Sequence, residues 1–86
     1  MSYRVRLETS AEREIKRLSQ DILRRVDATL LSLALNPRPR GVVKLAGREG
    51  EGWRVRVGSY RILYTIDDEA QIVSIYLIRP RSIAYR

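Results

Sequence analysis

The chain has 86 residues, with 17 basic against 10 acidic side chains, a formal charge of +7, and neither cysteine nor histidine. Disulfides, thiol chemistry, zinc sites of the Cys/His kind and a histidine general base are therefore excluded. Hydrophobic residues at 44% and charged ones at 31% suit one small folded domain over residues 1–86, with no membrane-length apolar run and no leader pattern, hence a cytoplasmic expectation.

Tyr3–Leu7 alternates apolar and basic residues, the pattern of a half-buried strand. Thr9 and Glu12 have the spacing of a capping box, which predicts a helix start. Ala11, Ile15 and Leu18 then fall on one helical face. After a break at residues 19–21, Ile22, Val26, Leu30 and Leu33 resume the helical period until Asn36-Pro37 stops it. Residues 36–52 are rich in Pro and Gly, with a short strand expected within Val42–Leu45. Trp53–Val57 and Tyr60–Ile66 alternate around a Gly58-Ser59 turn, and Gln71–Ile78 reads as the last long strand. Helices early and strands late predict an α+β fold, with an N-terminal strand and a helical hairpin packed on an antiparallel sheet.

Fifteen of the 17 basic residues are Arg, and only Lys16 and Lys44 are Lys. Residues 1–37 carry a net +2 (seven basic, five acidic) and residues 38–86 a net +5 (ten basic, five acidic). Arg presents a planar fork suited to phosphate, so the bias points to a nucleic acid or an acidic protein, and not to a membrane. With Gly58-Ser59 as the turn, Trp53, Val55, Val57, Tyr60, Ile62 and Tyr64 share one face. Arg54, Arg56 and Arg61 share the other. Arg56 would then face Arg61, a like-charge pair that folding alone does not favour and a bridging anion would. An even-numbered last loop would turn Val73, Ile75 and Leu77 toward the helices. Pro80 would end that strand before phase could place Arg79. Glu49 and Glu51 read as solvated loop charges.

Taken in order, Tyr3, Asn36-Pro37, Lys44-Leu45-Ala46-Gly47, the run Gly52–Tyr64 and the ending Arg81…Tyr85-Arg86 resemble the RelE/ParE superfamily of bacterial toxins. The resemblance covers essentially the whole chain. It implies a RelE-like fold related to microbial ribonucleases and metal-independent cleavage of mRNA in the ribosomal A site, with the RNA's own 2′-hydroxyl as nucleophile and no cofactor. It also implies an acidic, RelB-like antitoxin partner, besides the ribosome and mRNA. Arg54, Arg56, Arg61, Arg81 and Tyr85 become the catalytic candidates, with Lys44, Arg79 and Arg86 on the substrate and Arg79 as the alternative to Arg81. Two departures stand out: Arg54 and Arg56 replace lysines of well-studied members, and Pro80 replaces a histidine of many relatives. Arg cannot lose its proton in the working range, which leaves Tyr85 as the proton-transfer candidate. The alternative branch, ParE, poisons DNA gyrase without nuclease activity.

Overall fold

The computed structural model describes residues 2–81. The elements in chain order are β1 (Arg4–Leu7), α1 (Thr9–Ile15), α2 (Gln20–Leu35), β2 (Val43–Lys44), β3 (Trp53–Val57), β4 (Tyr60–Asp67) and β5 (Ile72–Pro80), with a single 3-10 turn at Gly47–Glu49 before β3. Five strands form one sheet in the order β1-β5-β4-β3-β2. The class is α+β, as the sequence predicts. The sheet is mixed, however, because β1 joins the edge of β5 in parallel. The long crossover through the helices, β2, β3 and β4 brings the chain back alongside its first strand in the same direction. Among the described residues no helix is long and apolar enough to cross a membrane.

The start of α1 differs from the capping-box expectation. Glu8 is the N-cap, Thr9 is already helical, and no side chain caps the end. The connection from β1 is one residue long, and the Glu8 amide is committed to the Ile75 carbonyl at 2.9 Å. That bond fixes where the helix begins and leaves Thr9 past the capping position. Ser10 then donates its hydroxyl to the Tyr76 carbonyl, extending the pairing of β5 beyond the end of β1. α2 ends at Asn36 in extended conformation, as Asn-Pro predicts.

The core lies between the helices and one face of the sheet. Val26 and Leu33 of α2 meet Ile62, Tyr64, Val73, Ile75 and Ile78, all fully or almost fully buried. Each such aliphatic side chain contributes about 1.5–3 kcal/mol by leaving water. Trp53, Val55 and Tyr60 pack at the margin of this core, and Val57 within it, so the predicted apolar face of the hairpin is the helix-covered one.

Inside β5 the sequence phase fails. Leu63 pairs with Leu77 but Tyr64 pairs with Ile75, so Tyr76 is an extra residue in a β-bulge. Past the bulge the alternation reverses: Ile78, not Leu77, enters the core, and Leu77 sits opposite Leu63 on the far face. The strand also continues to Pro80, opposite Tyr60. β1 pairs only as far as Ile75, so this stretch of β5 has edge character and tolerates a proline without a donor N–H.

The far face is itself divided. Leu45 and Leu63 are 7% exposed there, under the loop that carries Gly50 and Glu51. The Tyr76 hydroxyl donates to the Glu51 carbonyl at 2.6 Å and accepts from the Glu51 amide at 3.1 Å, pinning that loop down. The remainder of the far face, toward the β3–β4 turn, carries the arginines.

Candidate functional site

Gly58 adopts φ +59 between Val57 and Tyr60, which are directly paired, so the tight turn forms where the sequence places it. This turn sets the register that puts Arg56 opposite Arg61. The bulge in β5 then puts Arg79 opposite Arg61 from the other side. Arg56, Arg61 and Arg79 form a row across three adjacent strands, spanning about 10 Å at the usual strand spacing. The outer two are exposed, while Arg61, at the centre, is 8% exposed. The row is a ridge of arginines on the sheet, an arrangement able to bridge an anion.

The other candidates are distributed unevenly. Arg54 is on the same face, one pleat along, with its side chain 13% exposed and a guanidinium nitrogen 3.9 Å from a Glu49 carboxylate oxygen. Glu49 thus turns toward this face, while its other oxygen accepts from the Ala46 amide at 3.4 Å. Arg81 follows the end of β5, and its amide donates to the Ser59 carbonyl at 2.7 Å, which ties this residue to the β3–β4 turn. Lys44 is not part of the row. It pairs with Trp53 and so shares the helix-side face, its ammonium 6.0 Å from the indole centroid. Tyr85 and Arg86 lie outside the described residues.

Beside the row, β2 pairs with β3 only at Trp53 and Arg54. Past that point the outer edge of β3 borders an open cleft of about 360 Å³ lined by Arg40, Gly41, Val43, Arg54, Val55 and Arg56. Arg40 was not among the sequence candidates. It lies in a Pro/Gly loop without periodicity, so only the fold brings it near the row.

The opposite end of β4 carries a different cluster. Arg38 grips Asp68 with two hydrogen bonds of 3.1 and 2.8 Å, and Tyr3 donates to the same carboxylate at 2.6 Å. These partners hold the Asp68 carboxyl well below its ordinary value, at about 2, with the Arg38 hydrogen bond the largest cause. Tyr3 is shifted up in turn, mainly because it donates to that carboxylate. The Arg38 guanidinium also lies 5.5 Å from the Trp53 ring centroid. Nearby, Tyr64 is fully buried and donates to the Pro37 carbonyl at 2.8 Å. Burial pushes its phenol up to about 12, so it remains a donor.

Residues 5–85 match the family described as the ParE toxin of type II toxin–antitoxin systems, parDE. The chain belongs to that family. The toxin is 38% identical over 90 residues to Toxin RelG of Mycobacterium tuberculosis, with 100% of this chain and 99% of the relative covered. Its fold superposes on a RelBE toxin–antitoxin complex from the same organism with a TM-score of 0.82 at 33% identity, covering 94% of this chain and 100% of the other. It likewise resembles the archaeal RelE–RelB complex of Pyrococcus horikoshii, with a TM-score of 0.83, 28% identity, and 94% and 97% of the two chains covered. The toxin is thus a type II toxin–antitoxin toxin of the RelE/ParE superfamily, with its arginine ridge built on the sheet shared with these neighbours.

Proposed function

We propose that this toxin is of the RelE branch and cuts mRNA in the ribosomal A site, acting in the cytoplasm without a metal or cofactor. The observation that carries this reading is the Arg56–Arg61–Arg79 row, three arginines side by side on one sheet face, which supports the binding of a phosphate and its developing negative charge. In the reaction the 2′-oxygen attacks the adjacent phosphorus and the 5′-oxygen leaves, giving a cyclic phosphate. The 2′-hydroxyl proton is removed and one is delivered to the leaving oxygen. Preorganised guanidinium groups stabilise the phosphorane and cost no reorganisation at the moment of reaction. Arg54 and Arg81 complete the set of cations, and Tyr85 is assigned to proton transfer because the arginines cannot release a proton. Lys44 and Arg86 are assigned to outer contacts with RNA or ribosome.

The partner in the resting state is an acidic, RelB-like antitoxin that covers the ridge. The structures it resembles are toxin–antitoxin complexes. A partner steered by charge associates fast and loses rate as salt rises.

The test is purified ribosomes carrying a defined message, with cuts mapped by primer extension. Cuts within the A-site codon that require the ribosome support the reading. Intact messages together with double-strand DNA breaks in gyrase-containing reactions would replace it with the ParE-branch reading, for which the name of the matching family speaks. Tyr85→Phe keeps the ring and removes the hydroxyl. If the phenol moves a proton, this variant binds ribosomes normally and cuts about 10²–10⁴-fold more slowly.

A further inference from the structure

The arginine ridge stops at β3, but the positive surface does not. Beyond Lys44 and Val43 the outer edge of β3 is left uncovered by β2, and the space beside it is the cleft between Arg40, Arg54 and Arg56. Arg56 belongs to both features: it ends the row and forms one wall of the cleft. The opposite wall is the loop of Arg40 and Gly41. Gly41 adopts φ +97, and a side chain there would meet nothing within 4 Å, so this wall is bare backbone. Bare backbone beside exposed Arg40 leaves room for a sugar–phosphate chain to approach closely.

We infer that the cleft between Arg40, Arg54 and Arg56 is a second phosphate subsite, holding the RNA backbone one step beyond the phosphate on the Arg56–Arg61–Arg79 row. This rests on the RNA-cleaving reading above and extends it to a residue that the sequence does not single out. A strand crossing the sheet from β5 to β3 leaves it over the open edge, where Arg40 receives it. The Glu49 carboxylate lies 3.9 Å from the Arg54 guanidinium, and its negative charge disfavours RNA on the side of the 45–52 loop. A binding site of this kind rewards length: RNA too short to reach Arg40 gains nothing from it.

The experiment measures equilibrium binding of a single-stranded RNA dodecamer and of its central trinucleotide, each with one 2′-O-methyl group at the central nucleotide to prevent cutting. Wild type, R40A, R40K and R79A are compared over a salt series, with thermal unfolding as the check on folding. R40A should weaken the dodecamer about tenfold, make its logarithmic salt slope shallower by about 0.7, and weaken the trinucleotide less than about twofold. R40K should keep the salt slope, since the charge is kept. R79A should weaken both RNAs.

An R40A protein that binds the dodecamer with wild-type affinity and slope overturns the subsite. So does one that weakens both RNAs equally, because that is the signature of general field strength. An acidic peptide that binds wild type tightly, where the dodecamer does not bind, would assign the cleft to a protein partner and overturn the inference. Ribosome-dependent cutting by the same preparation is scored separately. Its absence sinks the functional reading, whereas its presence with failed R40A predictions sinks the subsite alone.

Discussion

At the turn end of β4, Arg61 has two other arginines as its cross-strand neighbours, Arg56 and Arg79. At the far end of the same strand, about 20 Å away by strand rise, Arg38 is clasped by Asp68 and stacked over Trp53. The residue type is the same and the settings are opposite. Arg38 fastens the α2–β2 connection to the β4–β5 turn, and Tyr3 brings β1 into the same cluster. The row sets like charges opposite one another, an arrangement that lowers stability by a few tenths of a kcal/mol to about 1 per facing pair where nothing compensates it. Arginine at one end fastens two connections together, and at the other it lines up with like charges on neighbouring strands. That alignment is the ground on which we propose an anionic ligand for this face.

The comparison breaks most sharply in kinetics. Arg56→Ala and Arg79→Ala, both at exposed positions, should each slow ribosome-dependent cutting by about 10²–10³ while shifting unfolding free energy by no more than about 0.5 kcal/mol. Arg38→Ala should do the reverse, lowering the thermal midpoint with cutting by the folded protein intact. If Arg38→Ala abolishes cutting and Arg56→Ala merely unfolds the chain, the division between the two ends is wrong.

A second expectation concerns Gly52, which enters β3 at φ +83. A Cβ there would run into the Tyr64 carbonyl oxygen and press on Thr65. Gly52→Ala should cost about 3 kcal/mol or more, because backbone strain and collision with main chain add. Denaturant unfolding checks this. A near-neutral result would mean that the loop can shift without disturbing β4.

Removing the Tyr64 hydroxyl tests the fastened end more gently. Tyr64→Phe keeps the packing but strips the donor from the Pro37 carbonyl, at an expected cost of about 1–2 kcal/mol. An unchanged denaturation midpoint would show that this carbonyl finds another partner.

The smallest effect is the acid profile. Asp68 ordinarily titrates at 3.8 and is pushed down to about 2 in the fold, so its contribution to stability is complete above the ordinary value. It is lost as pH falls from near 4 toward 2, where the folded state also takes up the proton. Asp68→Asn should lower stability near neutrality and flatten the decline across that window. A decline as steep as in wild type would assign the acid sensitivity to other carboxylates.

Much of this arrangement is legible in the chain itself. Period-2 alternation in Trp53–Val57 and Tyr60–Ile66, with a glycine able to take positive φ between them, is enough to pair Arg56 with Arg61. The helical period of Ile22–Leu33 and the stop at Asn36-Pro37 likewise correspond to α2 as observed. These are local properties: side-chain period and turn chemistry act over a few residues and leave their mark in order. The placement of Arg79 is not local. One extra residue at Tyr76 reverses the phase of β5, and nothing in Gln71–Ile78 announces a bulge, because its cause is the joint demand of β4 pairing, core packing and the Tyr76–Glu51 contacts. The same holds for the parallel pairing of β1, the missing cap at Thr9, the turning of Lys44 to the helix face, and Arg40 at the β3 edge. Each depends on which segments become neighbours. The sequence by itself determined the elements, the charge and one like-charge pair. Only the tertiary structure extended that pair into a row and set a cleft beside it, because register between distant strands is decided by packing and not by period.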